Sequence, residues 1–278
     1  MPKLLLCGHG YLGQAISRDF LAAGWEVTAL SREGDPTSSP PELACDISSA
    51  IDVSGLEAAP DFIVHCASSG RGGAEAYRSV YWEGCRNLLH RFPGTPLLFT
   101  SSTSVYAQTD GSEVTEESPA DPDRETGRIL RETEELVLSK GGIITRLSGI
   151  YGPGRSVILK KFLSGDAMIE EDGRRYLNQI HRDDAASGIL HLATTSANRP
   201  QIYNLSDSRP LTQIECYQAM SELLDRPLPP SGPRDPDRKR GWTHKRVSNA
   251  KLLATGWEPR FPCFLDAISS VVPTLGIS

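Results

Sequence analysis

The sequence predicts an α/β protein built on a doubly wound parallel sheet, and three observations carry that expectation. The chain opens on an apolar run, Leu4-Leu5-Leu6-Cys7, that breaks straight into Gly8-His9-Gly10-Tyr11-Leu12-Gly13 and a helical pattern from Leu12 to Ala23. A second strand pattern, Trp25-Glu26-Val27-Thr28-Ala29-Leu30, follows at the distance of a βαβ unit. Strand and helix patterns then keep alternating through the first half. In one sheet this requires parallel strands joined by right-handed crossovers.

The glycine spacing is G-x-G-x-x-G. Gly8 allows a tight turn, Gly10 leaves room for a pyrophosphate against bare backbone, and Gly13 lets the helix pack closely on the strand. The helix N-terminus then offers N–H groups and a partial positive charge to phosphates. Glycines also serve ordinary turns, so it is the strand before and the helix after that make this a Rossmann-type cofactor loop of Gly8, Gly10, Tyr11, Leu12 and Gly13.

Further strands are expected ending at Ala44-Cys45-Asp46 and over Phe62–Cys66, Pro96–Thr100 and Gly142–Leu147, with helices over Ala74–His90 and Arg124–Lys140. Ligands of such a sheet bind beyond the strand carboxyl ends, in the loops after Leu6, Leu30, Cys66, Thr100 and Leu147. From Tyr151 the alternation loosens. Helices fit Val157–Leu163, Asp183–Ala193 and Thr212–Leu224, a short strand fits Gln201–Leu205, and Leu228 to Arg240 reads as a Pro- and charge-rich exposed loop. Two short helical patterns close the chain. The expected organisation is a dinucleotide-binding domain over 1–150 and a smaller α/β substrate-binding region over 151–278, partly interleaved with the first.

With 278 residues, 38% of them hydrophobic, the chain can bury a full core. A net charge of −6 and no basic stripe argue against nucleic acid as partner. The six cysteines (7, 45, 66, 85, 216 and 263) include no C-x-x-C and no zinc-ligand spacing. That predicts free thiols, no metal, and a reducing, cytoplasmic setting. Leu5-Leu6-Cys7-Gly8 faintly suggests a lipoprotein cleavage site, but the apolar stretch before it is too short for a signal peptide. No segment reaches the length of a membrane span.

These residues resemble an extended short-chain dehydrogenase/reductase, the group that includes nucleotide-sugar epimerases and dehydratases. The resemblance runs from the glycine loop and Asp46 through Gly84-Cys85-Arg86-Asn87-Leu88-Leu89 to Thr100-Ser101-Ser102-Thr103-Ser104-Val105-Tyr106. It continues in Arg146-Leu147-Ser148-Gly149-Ile150-Tyr151-Gly152-Pro153-Gly154, Ile180-His181-Arg182-Asp183-Asp184 and Leu252-Leu253-Ala254-Thr255-Gly256-Trp257-Glu258-Pro259. It implies a nicotinamide cofactor, an adenine contact at Asp46 with Ile47 on the ring, and a ribose lining at Ala67 and Ser68. The alternatives are that Asp46 caps the following helix and that small residues at 67 and 68 reflect tight packing.

The standard proton-transfer pair is missing. The family sets a Tyr-x-x-x-Lys on the helix after the S-V-Y block, where Tyr moves a proton and Lys lowers the phenol's pKa. Here those positions hold Thr126 and Leu130, and no other Tyr-x-x-x-Lys occurs in the chain. The chain thus resembles the atypical members that keep the cofactor cleft and lose the pair. Ser102 matches the family's Ser/Thr and is the candidate hydroxyl orienting the substrate, with a loop-satisfying polar residue as its alternative. Tyr81, at the position of the family's helical Asn, and Tyr106 are candidate proton donors, although an aromatic at such places is commonly core. Thr103 and Ser104 occupy the Asp-Glu positions that sugar dehydratases need, which counts against that activity.

Ser31 and Arg32 follow the second strand, where NAD-preferring proteins carry an acid for the ribose 2′-OH. An acid there repels a 2′-phosphate, whereas Arg and a hydroxyl pair with it, so NADP is expected over NAD; the alternative is a solvated Arg. His181 is expected to shape the cleft floor and Asp184 to cap the next helix. Arg71, Arg155, Arg174, Arg175, Arg182 and Arg246 could converge on an anionic substrate, or each could be a surface charge. The Glu113–Glu117 run and Arg238-Lys239-Arg240 read as solvated loops. The resemblance also implies a homodimer through Ala74–His90 and Arg124–Lys140, whose apolar positions (Tyr77, Val80, Leu88, Leu89; Ile129, Leu136, Val137) suit packing on the sheet equally.

The function expected is reduction or epimerisation of a small, anionic, sugar-like substrate by nicotinamide hydride transfer. The alternative is a non-catalytic NADP-binding redox sensor or scaffold, which needs the glycine loop and not the acid.

Overall fold

Lys3–Cys7 (β1) carries four consecutive apolar side chains that are all buried, as a strand covered on both faces must be. In the computed structural model of the chain, residues 1–70, 72–195, 200–234 and 242–277 are described. β1 is an inner strand of a seven-stranded sheet with β2 (Glu26–Ser31), β3 (Glu42–Ala44), β4 (Phe62–His65), β5 (Leu97–Ser102), β6 (Ile143–Leu147) and β7 (Gln201–Leu205). The order is β7-β6-β5-β4-β1-β2-β3, and the β1–β2, β1–β4, β2–β3 and β4–β5 ladders are parallel. The chain winds outward from β1 to β3 and then returns to β4. The reversal of direction between β1 and β4 opens the crevice in which such sheets bind ligands.

The crossovers run through α1 (Tyr11–Ala22), α2 (Ala50–Ser54), α3 (Ala74–Tyr77), α4 (Gly84–Arg91) and α5 (Glu125–Ser139). The expected single helix over Ala74–His90 has an interruption: Arg78–Glu83 between α3 and α4 is a π-helix. Such turns are rare and concentrate at functional sites. This one lies beside the end of β4. The ring of His65, fully buried, donates from Nε2 to the Val80 carbonyl inside the π segment at 2.9 Å, with Phe99 edge-on at 5.3 Å.

Burial pushes the His65 pKa down to about 4. The folded state therefore binds fewer protons than the unfolded chain between about pH 4 and the ordinary histidine value near 6.5. His65 stability is complete above that window and is lost as pH falls through it, by roughly 3 kcal/mol if no other group relaxes. In His65→Gln, which keeps a donor for Val80, unfolding free energy should fall less steeply between pH 6.5 and 4.5. Parallel curves for the two proteins would contradict this.

Two compact units divide the chain. One comprises Met1–Val105, Ala120–Arg146 and Ala186–Tyr203; the other comprises Tyr106–Pro119, Leu147–Ala185 and Asn204–Ser278. The second unit has its own core of Tyr151, Leu159, Phe162, Tyr217, Met220 and Phe264. Its helix Val157–Leu163 is N-capped by Ser156, and its helix Gln213–Leu224 starts with a Thr212/Glu215 capping box. Leu88, Ile129 and Val137 of the proposed dimer helices are buried in the first unit. All six cysteines are free, and only Cys66 is not fully buried. Among the described residues no helix is long and apolar enough to cross a membrane, and no group of side chains could hold a metal ion.

Candidate dinucleotide site

Each glycine of the loop does a different job. Gly8 stands at φ +99°, in the left-handed region that side chains disfavour, and a Cβ there would lie 2.5 Å from the Ala67 Cα. At Gly13 a Cβ would run into the Gly8 carbonyl oxygen, so only a glycine lets α1 lie this close to the β1 turn. Gly10 is the opposite case: it is exposed, and nothing lies within 4 Å of its would-be Cβ. It is the N-cap of α1, makes no side-chain cap, and no acid occupies the first turn. The backbone at the positive end of the helix is thus bare and open, which is what a pyrophosphate requires. Of the flanking positions, Leu12 is buried and Tyr11 half-buried.

The second residue of the loop, His9, escaped the sequence reading. Its ring bonds Glu42 Oε1 through Nδ1 at 2.7 Å and Ser17 Oγ through Nε2 at 2.8 Å. Glu42 starts β3 and also accepts from the Ser31 hydroxyl; these bonds, His9 first, hold its carboxyl below the usual carboxylate range. Ser31 Oγ in turn accepts the Gly34 N–H at 3.0 Å. Arg32 beside it is exposed and has no ionic or hydrogen-bond partner among the described residues.

Asp46 is half-buried and does not cap α2; Ser49 does, accepting the Asp52 N–H. Asp46 Oδ1 accepts from the N–H and hydroxyl of Ser48, forming an Asx turn. Ile47 is buried, and its side chain fills the space over Gly84, where a Cβ would come within 3.1 Å of Ile47 Cδ1. From α4, Asn87 Nδ2 donates to the carbonyls of Ile47 and Ser48, fixing this turn. Ala67 supplies the backbone against which Gly8 is pressed. Ser68 is exposed, and its hydroxyl accepts the Gly70 N–H.

Tyr81 projects from the π segment to the same loop, where its hydroxyl accepts from the backbone N–H and the hydroxyl of Ser69, both at 3.3 Å. Its ring packs against Tyr77, Phe99 and His65. Ser102 ends β5, half-buried, its Oγ accepting the Ser104 N–H at 3.2 Å. On α5, Thr126 is half-buried, and Leu130, at the position where the resemblance expects lysine, is buried. A charged amine at Leu130 would lack solvent in this packing. One turn further, the carboxylate of Glu134 accepts from Ser101 of β5, Arg131 and Arg146, so α5 is locked to the sheet beneath Ser102.

In the second unit, Tyr106 is fully buried and donates its hydroxyl to Asn204 Oδ1 at 2.9 Å. Lys245, buried beside it, donates to the Tyr106 carbonyl, and burial pushes its pKa down to about 8. His181 is buried between Tyr151 and Phe261, and its Nδ1 accepts the Asp183 N–H. Asp184 lies inside the helix Arg182–Thr194, and its carboxylate accepts the distant N–H groups of Arg260 and Phe261. Burial raises the Asp184 pKa. Arg174, Arg175, Arg182 and Arg246 each pair with a carboxylate, namely Asp172, Glu170, Asp183 and Glu113. Arg155 is exposed. Arg71 and the Arg238-Lys239-Arg240 cluster lie outside the described residues.

Comparison with known proteins agrees with this geometry. Residues 4–206 match the family described as "NAD dependent epimerase/dehydratase family". Protein YeeZ of Escherichia coli K12 is 30% identical over 242 residues, covering 81% of this chain and 84% of YeeZ. Two solved structures share the fold over 98% of this chain. One is the Thermus thermophilus UDP-glucose 4-epimerase in complex with NAD, with TM-score 0.80, 21% identity and 98% of its own chain covered. The other is the human epimerase family protein SDR39U1 with NADPH, with TM-score 0.79, 20% identity and 100% of its chain covered. The glycine loop, the strand order and these matches together make the chain a member of the NAD-dependent epimerase/dehydratase family.

Proposed function

We propose that this protein is an NADP-using, atypical short-chain dehydrogenase/reductase that reduces or epimerises a small, anionic, sugar-like substrate. The observation that carries the reading is the glycine loop: Gly8 in a left-handed conformation that a side chain would strain, Gly13 sterically obligatory and Gly10 open at a helix N-terminus. The nicotinamide, when bound, supplies hydride transfer. The chain's own part is to hold the substrate oxygen and move a proton. Ser102 is the hydroxyl that orients that oxygen. Tyr81 is the proton donor, since its hydroxyl reaches the loop after β4, whereas Tyr106 is buried and committed to Asn204. Arg32, exposed and unpaired among the described residues, and the Ser31 hydroxyl are the groups available to a 2′-phosphate. Support for an anionic, nucleotide-linked substrate comes from the UDP-glucose epimerase relative, and the paired state of four arginines weakens it.

Once turnover of a carbonyl or UDP-sugar substrate is found, Tyr81→Phe should lower kcat by about a hundredfold or more. Ser102→Ala should lower it by about tenfold, and neither change should alter cofactor Kd. Wild-type turnover in both variants would remove the assignments, and failure to bind either NADH or NADPH would remove the whole reading. The second reading, a redox sensor or scaffold, is favoured by the burial of Leu130 where a catalytic lysine is expected. It predicts tight NADPH binding with no turnover of any substrate. A homodimer through α3–α4 and α5 belongs to the main reading, and a monomer by sedimentation velocity at micromolar concentration would exclude it.

A further inference from the structure

The acid that the second strand lacks is supplied by the third. We propose that Glu42 discriminates between a ribose 2′-hydroxyl and a 2′-phosphate, with His9 as its positioning residue; the inference rests on the dinucleotide reading above. In glycine-loop sites an acid about 20 residues beyond the loop, at the end of the second strand, accepts the 2′-hydroxyl. Here Ser31 and Arg32 occupy that place. Glu42 comes from the neighbouring strand, level with Ala29 in the β2–β3 register. Its carboxylate nevertheless touches both elements that flank the adenosine ribose in this fold: the Ser31 hydroxyl at the end of β2 and His9 inside the glycine loop.

The network holds the His9 ring at both ends. Ser17 Oγ bonds the Gln14 carbonyl at 3.1 Å and the His9 Nε2 at 2.8 Å. At the other end of the ring, Nδ1 bonds the Glu42 carboxylate at 2.7 Å. An imidazole held at both ends, with a side chain only 6% exposed, is a brace for Glu42 and is not free to turn toward a phosphate. The Glu42 side chain itself is 17% exposed, so it is not sealed from solvent. An ionised carboxylate accepts from a 2′-hydroxyl and repels a 2′-phosphate. Arg32 works in the opposite sense, so Glu42 narrows the NADPH preference that Arg32 and Ser31 favour without abolishing it.

The test is equilibrium titration of the full chain with NADPH and NADH, followed by tryptophan quenching, in wild type, Glu42→Gln, His9→Gln and Arg32→Ala. Glu42→Gln should move the ratio of the two Kd values at least tenfold toward NADPH, by weakening NADH and tightening NADPH. His9→Gln should move it the same way by less, and Arg32→Ala should move it the other way. A ratio within twofold of wild type in Glu42→Gln, with both nucleotides still bound, overturns the proposal and leaves Glu42 as a brace of the loop. Wild type binding neither nucleotide overturns the dinucleotide reading instead. Should Glu42→Gln fail to melt cooperatively, Glu42→Asp withdraws the charge by one methylene, and an unchanged ratio there overturns the proposal equally.

Discussion

Gly13→Val is expected to abolish nucleotide binding and to lower the melting temperature by about 6–12 °C. A Cβ at residue 13 meets the backbone carbonyl of Gly8, which cannot swing aside as a flexible side chain could. Relief requires α1 to lift from the β1 turn, and overpacking of this kind costs about 3 kcal/mol, or 2–4 °C per kcal/mol in a chain of this size. The lift also moves Gly10 and its open N-terminus away from β1, so affinity should fall more than a hundredfold. Gly10→Ala is the informative companion. Nothing lies within 4 Å of that Cβ, so the fold should melt as in wild type while the methyl group occupies the space a pyrophosphate needs. Gly13→Val with wild-type affinity, or Gly10→Ala losing stability and not binding, would show that the two glycines have been given the wrong roles.

The second large effect is expected at Glu134. Its carboxylate is fully buried between Ser101, Arg131 and Arg146, and Arg146 is 1% exposed. Glu134→Ala leaves a buried guanidinium without its counter-charge, a loss of about 3–5 kcal/mol in unfolding free energy by urea titration. Removing both charges in Glu134→Leu with Arg146→Met should cost less than the single change, because no charge is then stranded in the core. A single-variant loss below about 1 kcal/mol would mean that solvent reaches Arg146 after all.

What was legible in the chain was what lies close in sequence. The glycine spacing, the buried strand before it and the helix after it are one continuous stretch, so Gly8, Gly10 and Gly13 could be assigned their roles before any fold was known. The His9–Glu42 contact spans 33 residues and exists only because β2 and β3 are adjacent and in register. No local pattern announces it. The π segment is equally silent, since Arg78–Glu83 keeps a helical composition and differs from α-helix only in hydrogen-bond ladder. Tyr81 was reachable through its family position, but not the Ser69 bonds that aim it. Asp46 was legible as a polar strand end, whereas the assignment of the α2 cap to Ser49 depended on the turn that Ser48 closes.

The placement of Gln201–Leu205 at the edge of the central sheet bears on how the chain is made. β6 ends at Leu147, yet its outer neighbour begins only at Gln201, so its edge stays open while about fifty further residues are translated. At 5–20 residues per second that interval lasts roughly 3–10 s, during which Ile143 and Ile144 offer an unpaired apolar strand on the ribosome. The central sheet of the N-terminal half is thus completed only by a strand from residues 201–205. The sheet closes late, and chaperone demand should peak before residue 205 has emerged.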